Sequence, residues 1–171
     1  MPDSTAPHLD DTDLRLLSLL QQDASLSNQA LSERAGLSAA TCHRRVRRLH
    51  EAGFIEKQVA ILSPHKLADA LGWGLAALVE ISLDVQTQEA LDAFEARAVA
   101  TAQVQQCWRV SPGPDFVLVV QVPDMPAYQE LARTLFTSSS QVRNVRAFFS
   151  VKRAKFGTEL SLPASAVRHQ A

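Results

Sequence analysis

The stretch that most constrains this chain runs from Ser27 to Phe54, SNQALSERAGLSAATCHRRVRRLHEAGF. It reads as two short helices around a glycine turn, the second carrying four arginines and no acid before Glu51. Ser27 predicts an N-cap for a helix over Asn28–Ala35, because its hydroxyl can accept a backbone N–H that the first turn leaves unpaired. Gly36 supplies the permissive backbone needed after a helix end. Ser38 opens the second helix in the same way, and Gly53 closes it. Within that helix Cys42, Val46 and Leu49 recur at the spacing of one face, and Thr41, Arg44, Arg45 and Arg48 are expected to point away from it. A solvated surface helix normally mixes signs at i,i+4, whereas Arg44 and Arg48 form a like-charge pair that costs roughly a few tenths of a kcal/mol. That cost points to an anionic partner. Two capped helices about a tight turn, the second basic, match the helix-turn-helix unit, whose second helix enters the major groove of DNA.

The flanking sequence completes that unit. Asp10 or Asp11 can cap a preceding helix, Asp13 sits near its positive end, and Leu14, Leu17 and Leu20, widened by Leu16, supply the stripe for a three-helix core. After Gly53, Ile55, Val59 and Ile61 predict a strand, a short β wing. Ser63-Pro64 and Gly72 bracket a linker helix over 64–71, where the domain boundary is placed. The expected DNA contacts are Ser38 and Thr41, near the helix N-terminus where hydroxyls and N–H groups meet phosphates or base edges, then Arg44, Arg45 and Arg48, with Arg47 more peripheral. Arginine suits guanine edges and phosphates equally, so the sequence does not divide these roles.

The second half has another rhythm. Leu75–Leu83 reads as a strand, Leu91, Phe94 and Ala98 as a helical stripe after a Thr87 cap, and Val104–Val110 as a strand. Ser111-Pro112-Gly113-Pro114-Asp115 is a turn. A strand over Phe116–Val122 follows, then a helix capped by Asp124 with Tyr128, Leu131, Ala132 and Leu135 on one face, and a last strand over Val142–Lys152. The order βαββαβ is that of the ferredoxin-like sandwich, with both helices on one side of a four-stranded antiparallel sheet. Leu160, Leu162 and Pro163 suggest an added edge strand. The expected layout of this α+β chain is a flexible tail over 1–8, a winged helix-turn-helix domain over 9–62, a linker over 63–72, a ferredoxin-like ligand-sensing and dimerisation domain over 73–155, and a tail over 156–171.

Phe116, Leu118, Val120 and Val122 are apolar, but so are Val117 and Val119 on the opposite face, and Ala76 and Leu78 likewise oppose Ala77, Val79 and Ile81. A sheet covered on one side only would alternate polar and apolar residues, so the second face calls for another copy of the sheet. A homodimer would also set two recognition helices about 34 Å apart, or a multiple of that, on a pseudo-palindromic site.

Charge and chemistry narrow the function further. A net charge of −1 means that nucleic-acid binding must come from a local basic patch. Cys42 and Cys107 form no Cys-x-x-Cys pair, and His8, His43, His50, His65 and His169 are scattered without metal spacing or a nucleophile–base signature. No enzyme, metal or cofactor is expected. The N-terminus has no signal-peptide pattern, and the apolar stretch around Trp73 to Leu83 is broken by Glu80 and too short to span a bilayer, so the chain is expected in the cytoplasm and not at a membrane.

Leu9-Asp10, Asp13, Leu37-Ser38, Cys42, Arg45-Val46-Arg47-Arg48-Leu49 and Gly53-Phe54-Ile55, followed by βαββαβ with a Gly-x-Asp turn, resemble the Lrp/AsnC (feast/famine) family of transcriptional regulators from Leu9 to about Pro163. The resemblance implies an N-terminal winged helix-turn-helix and a C-terminal ligand-sensing domain that dimerises through its sheet. It also implies further assembly into tetramers or octamers and a response to an amino acid bound between dimers. The family's pocket lies near the turn that here is Ser111, Gly113 and Asp115. Gly113 can offer a close N–H to a carboxylate and Asp115 an acceptor to an ammonium, with hydroxyls of Thr137, Ser138, Ser139 and Ser140 from a facing subunit. Pro112 and Pro114 depart from the family pattern, since proline donates no N–H. A plain hairpin turn is the other reading of these residues. An architectural protein that wraps DNA without a small-molecule effector is the alternative for the whole chain.

Overall fold

The computed structural model describes residues 8–72, 74–137 and 141–163, which form two units: residues up to 60 together with those from 155, and residues 61–154. Residues 1–7 of the expected N-terminal tail, Ser138 to Ser140 and the residues after Pro163 lie outside the described part.

The first unit contains α1 (Asp11–Gln22), α2 (Asn28–Ala35) and α3 (Ala39–Glu51). Asp10 caps α1, and the cap is reciprocal. Its carboxylate accepts the Asp13 N–H at 2.8 Å, while the Asp13 carboxylate accepts the Asp10 N–H at 3.2 Å. Ser27 and Ser38 cap α2 and α3. Gly36 and Gly53, at φ +70° and +75°, end them. Just beyond, the Leu37 and Phe54 amides reach back to the Ser32 and Leu49 carbonyls at 2.9 and 3.0 Å, closing both helices. The core joins Leu16 and Leu20 of α1 to Leu31 and Ala35 of α2 and Cys42 and Leu49 of α3. On α1 the buried line is therefore Asp13, Leu16 and Leu20, and the expected stripe of Leu14 and Leu17 is only half-buried.

Two expected strands are absent. Residues 55–63 form no strand, and Val59, Ile61 and Leu62 remain exposed. A strand needs a neighbour's N–H and C=O groups, and among the described residues none lies beside this segment to supply a wing. The segment over 160–163 also forms no strand. Instead the Gln21 side-chain amide takes the place of a neighbouring strand: its Nε2 donates to the Leu160 carbonyl at 2.9 Å, and its Oε1 accepts the Leu160 N–H at 3.0 Å.

The second unit opens with α4 (Pro64–Leu71), capped by Ser63 and ended by Gly72. It continues with β1 (Leu75–Leu83), α5 (Gln88–Ala100), β2 (Val104–Arg109), β3 (Phe116–Val122), α6 (Met125–Ala132), a π-helical turn (Arg133–Thr137) and β4 (Val142–Phe149). The sheet order is β2-β3-β1-β4 with antiparallel neighbours throughout, the ferredoxin-like arrangement. β4 stops at Phe149, short of Lys152, because its partner β1 begins at Leu75 and the last bond is Ser150 N–H to the Ala76 carbonyl. One face of the sheet meets both helices: Val79, Ile81, Phe116, Leu118 and Val120 pack with Phe94 and Ala98 of α5 and with Tyr128 and Leu131 of α6. Phe94 and Phe116 stack with centroids 4.8 Å apart. The π-helical turn buries Leu135 and Phe136 together, extending the α6 face beyond the expected Leu135.

The other face carries Leu78, Phe148 and Trp108, which are 48%, 47% and 58% exposed, with half-buried Val117 and Val119 between them. Both faces are apolar, as the alternation required. Trp108 stands on an edge strand, which explains an exposure that a central strand would not allow. Among the described residues no helix is long and apolar enough to cross a membrane.

Candidate nucleic-acid interface and ligand turn

α3 is thirteen residues long, which makes it about 20 Å. At its start Ser38 Oγ accepts the Thr41 N–H at 3.3 Å and donates to Thr41 Oγ1 at 2.9 Å, and Asn28 Nδ2 donates to the Ala39 carbonyl at 2.9 Å, tying α2 to the first turn of α3. Cys42, Val46 and Leu49 turn inward. Arg44 is exposed and, among the described residues, makes no ion pair. Arg47, 71% exposed, bonds its helix neighbour Glu51 at 2.7 Å.

Arg45 does not point away from the core as its charge suggested. It lies three residues after Cys42 and four before Leu49, so helical periodicity puts it on their side. Its side chain is only 23% exposed, and its Nη1 donates to Asp10 at 2.7 Å and to Asp13 at 2.9 Å. Arg48 Nη2 also reaches the Asp13 carboxylate. The partner that the arginine run called for is thus partly inside the fold. Burial pushes the Asp13 carboxyl up, but the hydrogen bonds from Arg48, the Asp10 N–H and Arg45 outweigh it and hold the group below the ordinary carboxylate value. Its i, i+3, i+7 spacing with Leu16 and Leu20 is the sequence signal that would have placed Asp13 inside.

The turn between β2 and β3 is held through Asp115. Its N–H donates to the Ile81 carbonyl at 2.8 Å, its own carbonyl accepts from Val110 at 3.1 Å, and its Oδ2 accepts the Leu83 N–H at 2.7 Å. One carboxylate oxygen thus pins the turn to the end of β1. Ser111 and Gly113 are exposed, and Gly113 sits at φ +124°, where a side chain would be strained. Thr137 Oγ1 donates to the Ala132 carbonyl at 3.4 Å. Beside the turn, Arg109 bridges Asp92 and Glu95 of α5 at 2.7 Å each.

Residues 9–56 match the family model for winged helix-turn-helix DNA-binding, and residues 76–160 that for the Lrp/AsnC ligand binding domain. The chain is 34% identical over 154 residues to the leucine-responsive regulatory protein of Rhizobium meliloti, covering 90% of this chain and 96% of that protein. It is also 34% identical over 154 residues to the DNA-binding transcriptional activator DecR of Escherichia coli, covering 90% and 99%. A transcriptional regulator from Neisseria meningitidis, solved as a complex with L-Met, is similar with a TM-score of 0.79 at 30% identity over 92% of this chain and 97% of that one.

Proposed function

The chain belongs to the Lrp/AsnC family of DNA-binding transcriptional regulators, and on that premise we propose that it regulates transcription as a dimer-based assembly controlled by an amino acid or related metabolite. The observation that carries this reading is the exposed outer face of α3, with Arg44 and Arg47 outward and the hydroxyls of Ser38 and Thr41 at its start. Guanidinium groups there suit phosphates and guanine edges. The partner is double-stranded DNA, met in the cytoplasm, and the protein acts by binding rather than by catalysis. The apolar outer face around Leu78, Trp108 and Phe148 supports a homodimer formed sheet to sheet, with tetramers or octamers built from dimers. The effector contacts are the Ser111–Gly113 backbone, the Asp115 oxygen left free by Leu83, and Thr137 from a facing subunit.

A footprint on promoter DNA, with and without each amino acid, tests the reading. A discrete protected site whose affinity or boundaries shift with one ligand is the expected result. The commitment of Asp115 Oδ2 to Leu83, together with Pro112 and Pro114, favours a second reading, an architectural DNA-wrapping protein without an effector. That protein would protect arbitrary sequence at the period of the DNA helix and ignore every amino acid.

A further inference from the structure

Resting on the DNA-binding reading above, we propose that Asp13 is the positioning residue of the DNA-contacting helix: its carboxylate claims Arg45 and Arg48 as anchors of α3 and leaves Arg44 and Arg47 to face the duplex. Asp13 is wholly buried and held from its own side, its N–H on Asp10 and its Oδ2 accepting the Asp10 N–H. Arg45 and Arg48, one turn apart on α3, both end on it, and Arg45 bonds Asp10 as well. The four side chains fix how α3 is rotated on α1.

The electrostatics lead to the same division. Two arginines and two aspartates sum to zero, so the cluster offers a phosphate no net attraction. Removing Arg45 from Asp13 would leave this buried carboxylate with Arg48 as its one remaining cation, which opposes any switch of Arg45 to DNA. Arg44 has no such competitor among the described residues, and Arg47 has only the exposed Glu51, whose pairing water and salt weaken. Arg44 is then the cation that gains most from a phosphate, and the arginine run holds two functions in alternate places along one helix.

Counterion release separates the two groups. The slope of log K against log salt reports how many phosphates are neutralised, at about 0.9 per contact, whereas a helix that is misplaced but keeps its contacts shifts the line in parallel. Binding of full-length wild type, R44Q, R45Q and D13N to a random-sequence duplex is measured across a salt series, with circular dichroism to confirm folding. R44Q is expected to flatten the slope by about 0.9. R45Q is expected to weaken binding with an unchanged slope. D13N, which releases half-exposed Arg48 to reach a phosphate, is expected to add a contact and steepen the slope. R45Q flattening the slope as much as R44Q, or folded D13N with the wild-type slope, overturns the proposal. If D13N does not fold, R44Q against R45Q decides alone. A wild-type protein that binds no duplex even at low salt overturns the DNA-binding reading and this assignment with it; wild-type binding with the wrong slope pattern overturns the assignment only.

Discussion

Asp13 is sealed in the helical unit at 1% side-chain exposure with two arginines upon it, whereas the sheet unit keeps the carboxylates of its ion pairs at the surface. Asp92, Glu95, Glu130 and Glu80, the partners of Arg109, Arg133 and Arg146, are 59%, 46%, 64% and 29% exposed. The two cores differ to match. The sheet unit packs two apolar layers, with Phe94, Phe116 and Phe136 filling the space between strands and helices. Among the described residues the helical unit has a small core of Leu, Ala and Cys without an aromatic. A large apolar layer fixes its own register through the alternation of the strands. A small one leaves rotation of one helix on another less determined, and a buried charge cluster supplies the missing constraint. That constraint falls on the helix whose orientation matters for DNA.

Truncating an aromatic should break the sheet unit most severely. Phe94→Ala is expected to cost about 3–5 kcal/mol, read by chemical denaturation. Asp13→Ala comes next, at about 2–3 kcal/mol in the helical unit, less than for a fully sealed pair because Arg48 is half exposed. A loss under about 0.5 kcal/mol in the same measurement would mean that the buried charge holds nothing. Ser38→Ala should remove about 1 kcal/mol by deleting the cap of α3. Arg47→Ala should leave the unfolding midpoint where it is, since the Arg47–Glu51 pair is exposed on both sides.

Acid sharpens the contrast. Asp13 titrates below its ordinary value in the folded chain, so the stability it adds is fully present above about pH 4 and is lost as the pH falls through the folded value. The helical unit of the wild type should therefore weaken below about pH 4 more steeply than that of Asp13→Asn, as followed by helix signal against pH. Coincident curves would contradict the role given to this carboxylate.

Local signals carried most of this fold, and the failures share one cause. Ser27, Ser38 and Thr87 cap as their sequence contexts require, and β1 and β3 begin and end at the expected residues, because caps, turns and alternation act within a few residues. Asp13 and Arg45 lie 32 positions apart, and no local signal announces a partner at that distance. The sequence points Arg45 away from the core and marks Asp13 only as a charge near the helix start; the i, i+3, i+7 line of Asp13 with Leu16 and Leu20 is the one sign that it lies inside. The segment over 55–63 has strand-forming residues but, among the described residues, no strand pairs with it, and β propensity without a partner makes no ladder. At the turn, the Asp115 carboxylate was visible as an acceptor, yet its bond to Leu83 depends on how β1 meets the hairpin.

Whether the outer face of α3 reads DNA is decided by a footprint of the full-length protein on promoter DNA, compared with that of Arg44→Ala. A discrete site for the wild type and a loss of at least about 1 kcal/mol in affinity for the variant are expected. Equal protection by both proteins, or none by the wild type, would contradict the claim that the outer face of α3 is what reads DNA.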